Sequence, residues 1–365
     1  MDTKINNNKE LKLWEALIPV VALIGMLAFN VFIYGDASLG GSNQFVLLLG
    51  GAVAAIMGYF NKVSFHKMLD EVANNIKSTA GAILILLMVG ALAGTWMVSG
   101  IIPSMIYYGL QILSPAIFLP ATLIICSVIS IATGSSWTTS ATVGIALIGI
   151  GGALGFDLGM VAGAVISGAY FGDKLSPMSD TTNLAPAMAG TDLFTHIKYM
   201  TLTTIPTYII TLILFIILGL SIEVKGDVNT NELLTAITTS FNVSGWLFLV
   251  PVIVIGLIVK KTEPLVALLV GTLLAGIFAV IFQPQIINQI AGVETMDFKS
   301  AYKGVMDAIT SKVVVPTENK TLADLFTSGG MAKMLPTIWL ILCAMVFGGI
   351  MDAIGALARI SESLL

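Results

Sequence analysis

Gly168-Ala-Tyr-Phe-Gly-Asp-Lys-Leu-Ser-Pro-Met-Ser-Asp-Thr-Thr-Asn-Leu-Ala-Pro186 is a polar interruption set between two apolar runs. Gly172 and Pro177 break the helical pattern within it, since proline lacks the N–H that a helix interior needs. Asp173, Lys174 and Asp180 fall beside the break. Upstream, residues 139–171 form a glycine-rich apolar stretch that fits two membrane crossings, or one crossing and a re-entrant hairpin. Downstream, residues 199–220 can cross once more.

Working outward, apolar stretches of spanning length recur at 14–34, 44–60, 79–101, 117–132, 245–259, 264–282 and 335–354. Of 365 residues, 56% are apolar and only 10% charged, with a mean hydropathy of +0.96. Soluble domains carry about 25% charged residues, so an aqueous fold is excluded. The net charge of −4 gives no basic field for nucleic acid. Cys126 and Cys343 lie in apolar runs, and His66 and His196 are far apart, so thiolate, zinc and haem chemistry is not expected. No His-Glu-x-x-His pattern or nucleophile–base pair points to an enzyme. The expected fold is all-α: a polytopic integral membrane protein with inverted-topology repeats and broken or re-entrant helices.

The repeat is read from three matches in the same order. Phe45-Val-Leu-Leu-Leu-Gly-Gly51 aligns with Leu265-Val-Ala-Leu-Leu-Val-Gly271. Phe65 and the amphipathic segment after it align with Phe298 onward, and Gly94 and Gly100 match Gly349 and Gly355. Residues 61–78, with Phe65, Met68, Leu69, Val72 and Ile76 on one face, read as an interfacial linking helix, and 298–313 repeats that design. Lysines 4, 9 and 12 place the N-terminus in the cytoplasm, and Lys62, Lys67 and Lys77 mark the return. Lys260-Lys261 stands where the first copy has its lysine-free Asp36 loop, so the corresponding loops face opposite sides. Such inversion belongs to many secondary transporters. The organisation expected is a cytoplasmic tail (1–15), a first transmembrane repeat (16–220), a connecting loop (221–243) and a second, incomplete repeat (244–365). A counterpart of residues 117–220 is missing, so a truncated chain, or one of two split pieces, is the expectation.

A second polar cluster, Thr133-Gly-Ser-Ser-Trp-Thr-Thr-Ser140, holds six hydroxyl side chains. Broken helices free carbonyls and helix termini to hold ions at mid-membrane, and hydroxyl, amide and carboxylate oxygens suit a hard cation such as Na⁺. Desolvation favours the protonated Asp and a bound cation the ionised one, so one site can serve both ions. The plain alternatives are that Asp173 and Lys174 pair with each other at the end of a span, and that the first cluster only packs helices. Asp192 reads as an ordinary helix cap, and Asp352 as a secondary candidate.

The run 167–186 resembles the signature of the NhaC family of Na⁺/H⁺ antiporters, and the run 133–139, ending in Trp137, Thr138 and Thr139, is similar to that family as well. The resemblance implies exchange of Na⁺ for H⁺ across the bacterial cytoplasmic membrane, with no cofactor besides the transported ions. It carries ion binding to Asp173, Ser176, Ser179, Asp180, Thr181, Thr182 and Asn183, with Thr133, Ser135, Ser136 and Thr138 facing them. Na⁺ would be held through Asp173 and Asp180. The family also implies an alternative, a Na⁺/H⁺-coupled organic-anion exchanger of the malate/lactate type, in which Lys174 or half-helix N-termini meet the carboxylate. Expected partners are membrane lipid and inorganic cations, not nucleic acid. A homo-oligomer and a separately encoded C-terminal piece stay open.

Overall fold

The computed structural model describes residues 11–364 other than 113, 177–178, 180–181, 183–185, 187–191, 222–229, 261, 318–322 and 324–325. The chain is helical almost throughout: α1 (Leu13–Tyr34), α2 (Ser42–Phe60), α3 (Phe65–Val98), α4 (Ile101–Ile112), α5 (Pro115–Thr133) and α6 (Ser136–Thr139). A π-helical stretch (Ser140–Gly144) then leads into α7 (Ile145–Ala153), α8 (Leu158–Leu175) and α9 (Leu193–Ser221). There follow α10 (Thr230–Ser240), α11 (Leu249–Val259), α12 (Pro264–Phe282), α13 (Pro284–Ala291) and α14 (Phe298–Thr310). A two-stranded antiparallel ribbon of β1 (Val313–Val314) and β2 (Thr327–Ser328) precedes α15 (Leu335–Ala353) and α16 (Ala356–Leu364). Among the described residues, six helices are long and apolar enough to cross a membrane, or seven if a bent pair is counted as one span. The polytopic helical architecture is therefore as the hydropathy requires.

Two compact units emerge, Met1–Leu86 with Met334–Leu365, and Leu87–Lys333. In the first, α2 packs along α15: Gly41 lies against Trp339, Gly50 against Phe347, and Gly58 against Ile354. Residue numbers rise together, so the two helices are parallel. The turn at 61–64 joins α2 to α3. The core here joins Ala54, Met68 and Val72 to Ile350, Met351 and Ile354. In hydrocarbon such contacts act through close packing rather than expulsion of water.

The repeats exchange partners reciprocally. Gly51 of α2 meets Phe347 and Ile350 of α15, and its counterpart Gly271 of α12 meets Leu92 of α3. Gly349 lies backbone to backbone on Val72 of the first copy's amphipathic segment, and Gly94 lies on the Ala308 carbonyl of the second copy's. Gly100 (φ +81) and Gly355 (φ +77) each hold a left-handed kink just before a short helix.

Two sequence expectations change, and one left open takes shape. The segment 61–78 is no separate linking helix. Its residues from Phe65 onward are the first turns of α3, 34 residues long and hence ~51 Å at 1.5 Å per residue. That exceeds a hydrocarbon core of about 30 Å, so the polar turns project beyond it; only Met68 and Val72 of the expected face are buried, while Phe65 is 68% exposed. The span expected at 245–259 is instead one arm of a broken pair, bent by 83° from 231–240, because Asn242-Val-Ser-Gly245 supplies turn residues. Residues 139–171 resolve into two antiparallel helical runs around a turn at 154–157, with Gly144 against Val165 and Gly151 against Val161.

Within the second unit Gln283 ties three helix breaks together. Its buried amide Nε2 donates to the Asn242 carbonyl (2.9 Å) and the Ser99 carbonyl (3.3 Å), and its Oε1 accepts from the Asn242 N–H (3.0 Å). Helix ends leave backbone groups without partners, and one glutamine serves three of them.

Candidate functional site

The site begins with the packing of α5 on α8. Gly168 lies on the Leu123 carbonyl, and a side chain at Gly172 would strike the Ser127 carbonyl (2.5 Å) and the Ile131 nitrogen (2.6 Å). This close approach lets hydroxyls bridge the backbones. Ser130 donates to the Ala169 carbonyl, and Ser176 to the Ile131 carbonyl at 2.8 Å. Contacts advance in the same direction on both helices, so α5 and α8 are parallel and end at the same level.

At that level the chain breaks twice. Gly134 (φ +68) closes α5 in the left-handed conformation, and α6 starts immediately with Ser135 as its cap. The Ser135 hydroxyl accepts from the Thr138 N–H (3.2 Å) and from the Thr138 hydroxyl (2.9 Å). Ser136, the first residue of α6, donates its hydroxyl to Asp173 Oδ2 at 2.9 Å. The half-buried Asp173 carboxylate thereby faces the N-terminal end of the helical run 136–153, where the helix dipole favours negative charge. On the other side, the Thr182 hydroxyl lies 3.0 Å from the Asp173 carbonyl and 3.2 Å from that of Lys174, satisfying the freed C-terminal carbonyls of α8.

The two sequence clusters therefore meet in one junction. Ser136, Thr138, Ser176, Ser179 and Thr182 are buried around it, and Ser135 is half-buried. Asp180, Thr181 and Asn183 lie outside the described residues, as does the side chain of Thr133, the last residue of α5. Asp173 and Lys174 do not pair with each other: the carboxylate turns to Ser136, and among the described residues no carboxylate is within ion-pair reach of Lys174. Asp192 is the cap it was expected to be, accepting from the Thr195 N–H at 2.9 Å. Asp352 is exposed near the end of α15. Among the described residues no group of three His, Cys, Asp or Glu side chains could hold a metal ion, so any cation bound here would rely on hydroxyls, carbonyls and one carboxylate. Sequence reasoning passed over Ser127, whose hydroxyl donates to the Leu123 carbonyl (2.7 Å) and accepts from Tyr208 (3.1 Å), and Ser130. Their spacing of three, opposite Gly168 and Gly172, was the available signal.

Broken helices that meet around a carboxylate and hydroxyls, in a chain of membrane-spanning helices, define a membrane transporter. The profile of the Na⁺/H⁺ antiporter family matches residues 168–365. A malate-2H⁺/Na⁺-lactate antiporter of Bacillus subtilis (strain 168) is 38% identical over 349 residues, 94% of this chain and 70% of that protein. The Na⁺/H⁺ antiporter NhaC of Alkalihalophilus pseudofirmus is 35% identical over 86% of this chain and 64% of its own length. NhaC of Bacillus subtilis is 36% identical over 80% and 62%. No solved structure matches the chain. The chain belongs to the Na⁺/H⁺ antiporter family, as the NhaC-like motif implies, and it spans 62–70% of the length of these three relatives.

Proposed function

We propose that this chain exchanges Na⁺ for H⁺ as a secondary active transporter of the bacterial cytoplasmic membrane, with its N-terminus in the cytoplasm. The observation that carries this reading is the 2.9 Å hydrogen bond from Ser136 to Asp173, which joins the two broken-helix clusters around one carboxylate. Ionised, Asp173 adds a negative charge to a shell of hydroxyl and carbonyl oxygens and suits Na⁺. Protonated, it loses that charge and releases the cation. One carboxylate then alternates between the two ions, and exposure of the junction to either side in turn couples their gradients. Two of the relatives are named as Na⁺/H⁺ antiporters, which supports this assignment.

The test is a preformed pH gradient in everted vesicles containing the chain. Added Na⁺ should dissipate it, Asp173→Asn should abolish the response, and Ser136→Ala should weaken it. A gradient indifferent to Na⁺ in the unmodified chain would defeat the proposal. Uptake of labelled malate or lactate without Na⁺/H⁺ exchange would instead favour the organic-anion reading.

A further inference from the structure

A π turn interrupts the helical run 136–153 at Ser140–Gly144, between Ser136 at the junction and the glycine-rich α7. Its cause is local. The Thr139 hydroxyl donates to the Ser135 carbonyl (2.9 Å), and the Thr142 hydroxyl to the Thr138 carbonyl (2.8 Å). Hydroxyls that take carbonyls four residues back compete with the backbone ladder, and a π turn closes its backbone bonds over five residues instead of four. The run therefore carries one residue more than an uninterrupted α-helix linking the same two ends.

Those two ends are held unequally. Gly144 lies on Val165 of α8, Gly149 on Ile106 of α4, and Gly151 on Val161 of α8 and Phe118 of α5. Each approach is too close for a side chain, so α7 is fixed in register against three helices. α6 instead follows Gly134, whose left-handed conformation (φ +68) makes a glycine pivot between α5 and α6. It reaches Asp173 through the Ser136 hydroxyl. One residue of α-helix is worth ~100° of rotation and ~1.5 Å of rise. Relaxation of the π turn to α, with α7 in place, would turn α6 by that amount at the Gly134 pivot. Ser136 would leave Asp173, and its position would pass to the next residue, Trp137, which is 48% exposed. An indole has an N–H donor and no acceptor, so it offers a cation no ligand.

We propose that the π turn is a register switch for the cation site. Its π form sets Ser136 on Asp173 and holds Na⁺; its α form substitutes Trp137 and lets the ion go. The switch rests on the assignment of Na⁺/H⁺ exchange to Asp173, and it makes Trp137 and the length of the segment 140–144 part of the transport cycle.

Two variants of the full chain test this, with exchange measured in everted vesicles and binding measured with radioactive Na⁺ on purified protein. Deleting Val143 removes the surplus residue, so the run becomes α-helical with Ser136 still on Asp173. Na⁺ binding should persist while exchange is lost, and Val143→Ala, which keeps the length, should retain both. Trp137→Ser supplies a hydroxyl to Asp173 in both forms. It should lower the Na⁺ concentration for half-maximal exchange and slow turnover about ten-fold, the scale of one hydrogen bond to a charged group. Exchange at the unmodified rate after the deletion, or loss of Na⁺ binding in a deletion variant that still unfolds cooperatively, would overturn the switch. So would a Trp137→Ser variant with unchanged half-maximal Na⁺ and turnover, which decides alone where the deletion does not fold. In each case the antiport assignment would stand. An unmodified chain that neither binds nor exchanges Na⁺ would instead remove that assignment, and the switch with it.

Discussion

The first repeat carries its chain from Phe65 to Val98 in one helix, whereas the second divides the same sequence between α14 and α15, with residues 311–334 inserted between them. Both nonetheless press a glycine of the later segment onto the amphipathic helix of the other repeat, Gly94 on Ala308 and Gly349 on Val72. Even the caps correspond: Ser64 accepts the Lys67 N–H ahead of α3, and Asp297 accepts the Ser300 N–H ahead of α14. Continuity of the helix is thus not what the repeats share. They share the points of close backbone contact, which in lipid are what holds helices together.

The strongest way to break the comparison is to fill those contacts. Gly349→Leu would place a side chain where Val72 Cα already lies 2.6 Å from the first added carbon. Overpacking of this kind costs about 1–3 kcal/mol, and a backbone obstacle cannot swing aside. Gly94→Leu meets backbone too, the Ala308 carbonyl of α14, at still closer range. Thermal unfolding in detergent should therefore show a lower midpoint for both variants. A midpoint unchanged by either would mean that these glycine contacts do not hold the helices together.

Next in size are the two kinks. At Gly355 nothing lies near an added carbon, so Gly355→Ala should cost only the left-handed backbone, about 1–2 kcal/mol. At Gly100 the carbon would also displace the Gln283 amide. Gly100→Ala should thus cost more, and the difference between the two unfolding midpoints measures what Gln283 contributes to the breaks it joins. Equal costs would remove Gln283 from that role.

The smallest effect separates the caps by pH. The Ser300 hydroxyl and N–H hold the Asp297 carboxyl below its ordinary value. A lowered folded value means the cap's contribution is complete above the unfolded value of about 3.9 and is lost as pH falls through the lower one. Amide exchange in the first turn of α14 should accelerate only in that acid range. The first turn of α3, capped by a serine that does not titrate, should show no such step.

Much of the junction was legible because its residues are out of place in an apolar chain: Ser135, Ser136 and Asp173 stand out by polarity alone, and the structure joins them. The repeat was legible through its glycines, since close contact admits little else. The continuity of α3 was hidden because Lys62, Lys67 and Lys77 suggest an interface, although no glycine or proline interrupts residues 65–80. The role of Gln283 could not be read, because its partners Ser99 and Asn242 are backbone groups distant in sequence.

The hydroxyl of Ser136 has a further consequence. A serine oxygen can give a proton or receive one, so its hydrogen points at Asp173 Oδ2 while the carboxylate is ionised, and it rotates away when the acid places its own proton on that same oxygen. The first sign of which ion the junction holds would then be the turn of a single hydrogen about one C–O bond. It would precede any displacement of a helix and be visible to an infrared probe of the carboxyl rather than to a map of atomic positions.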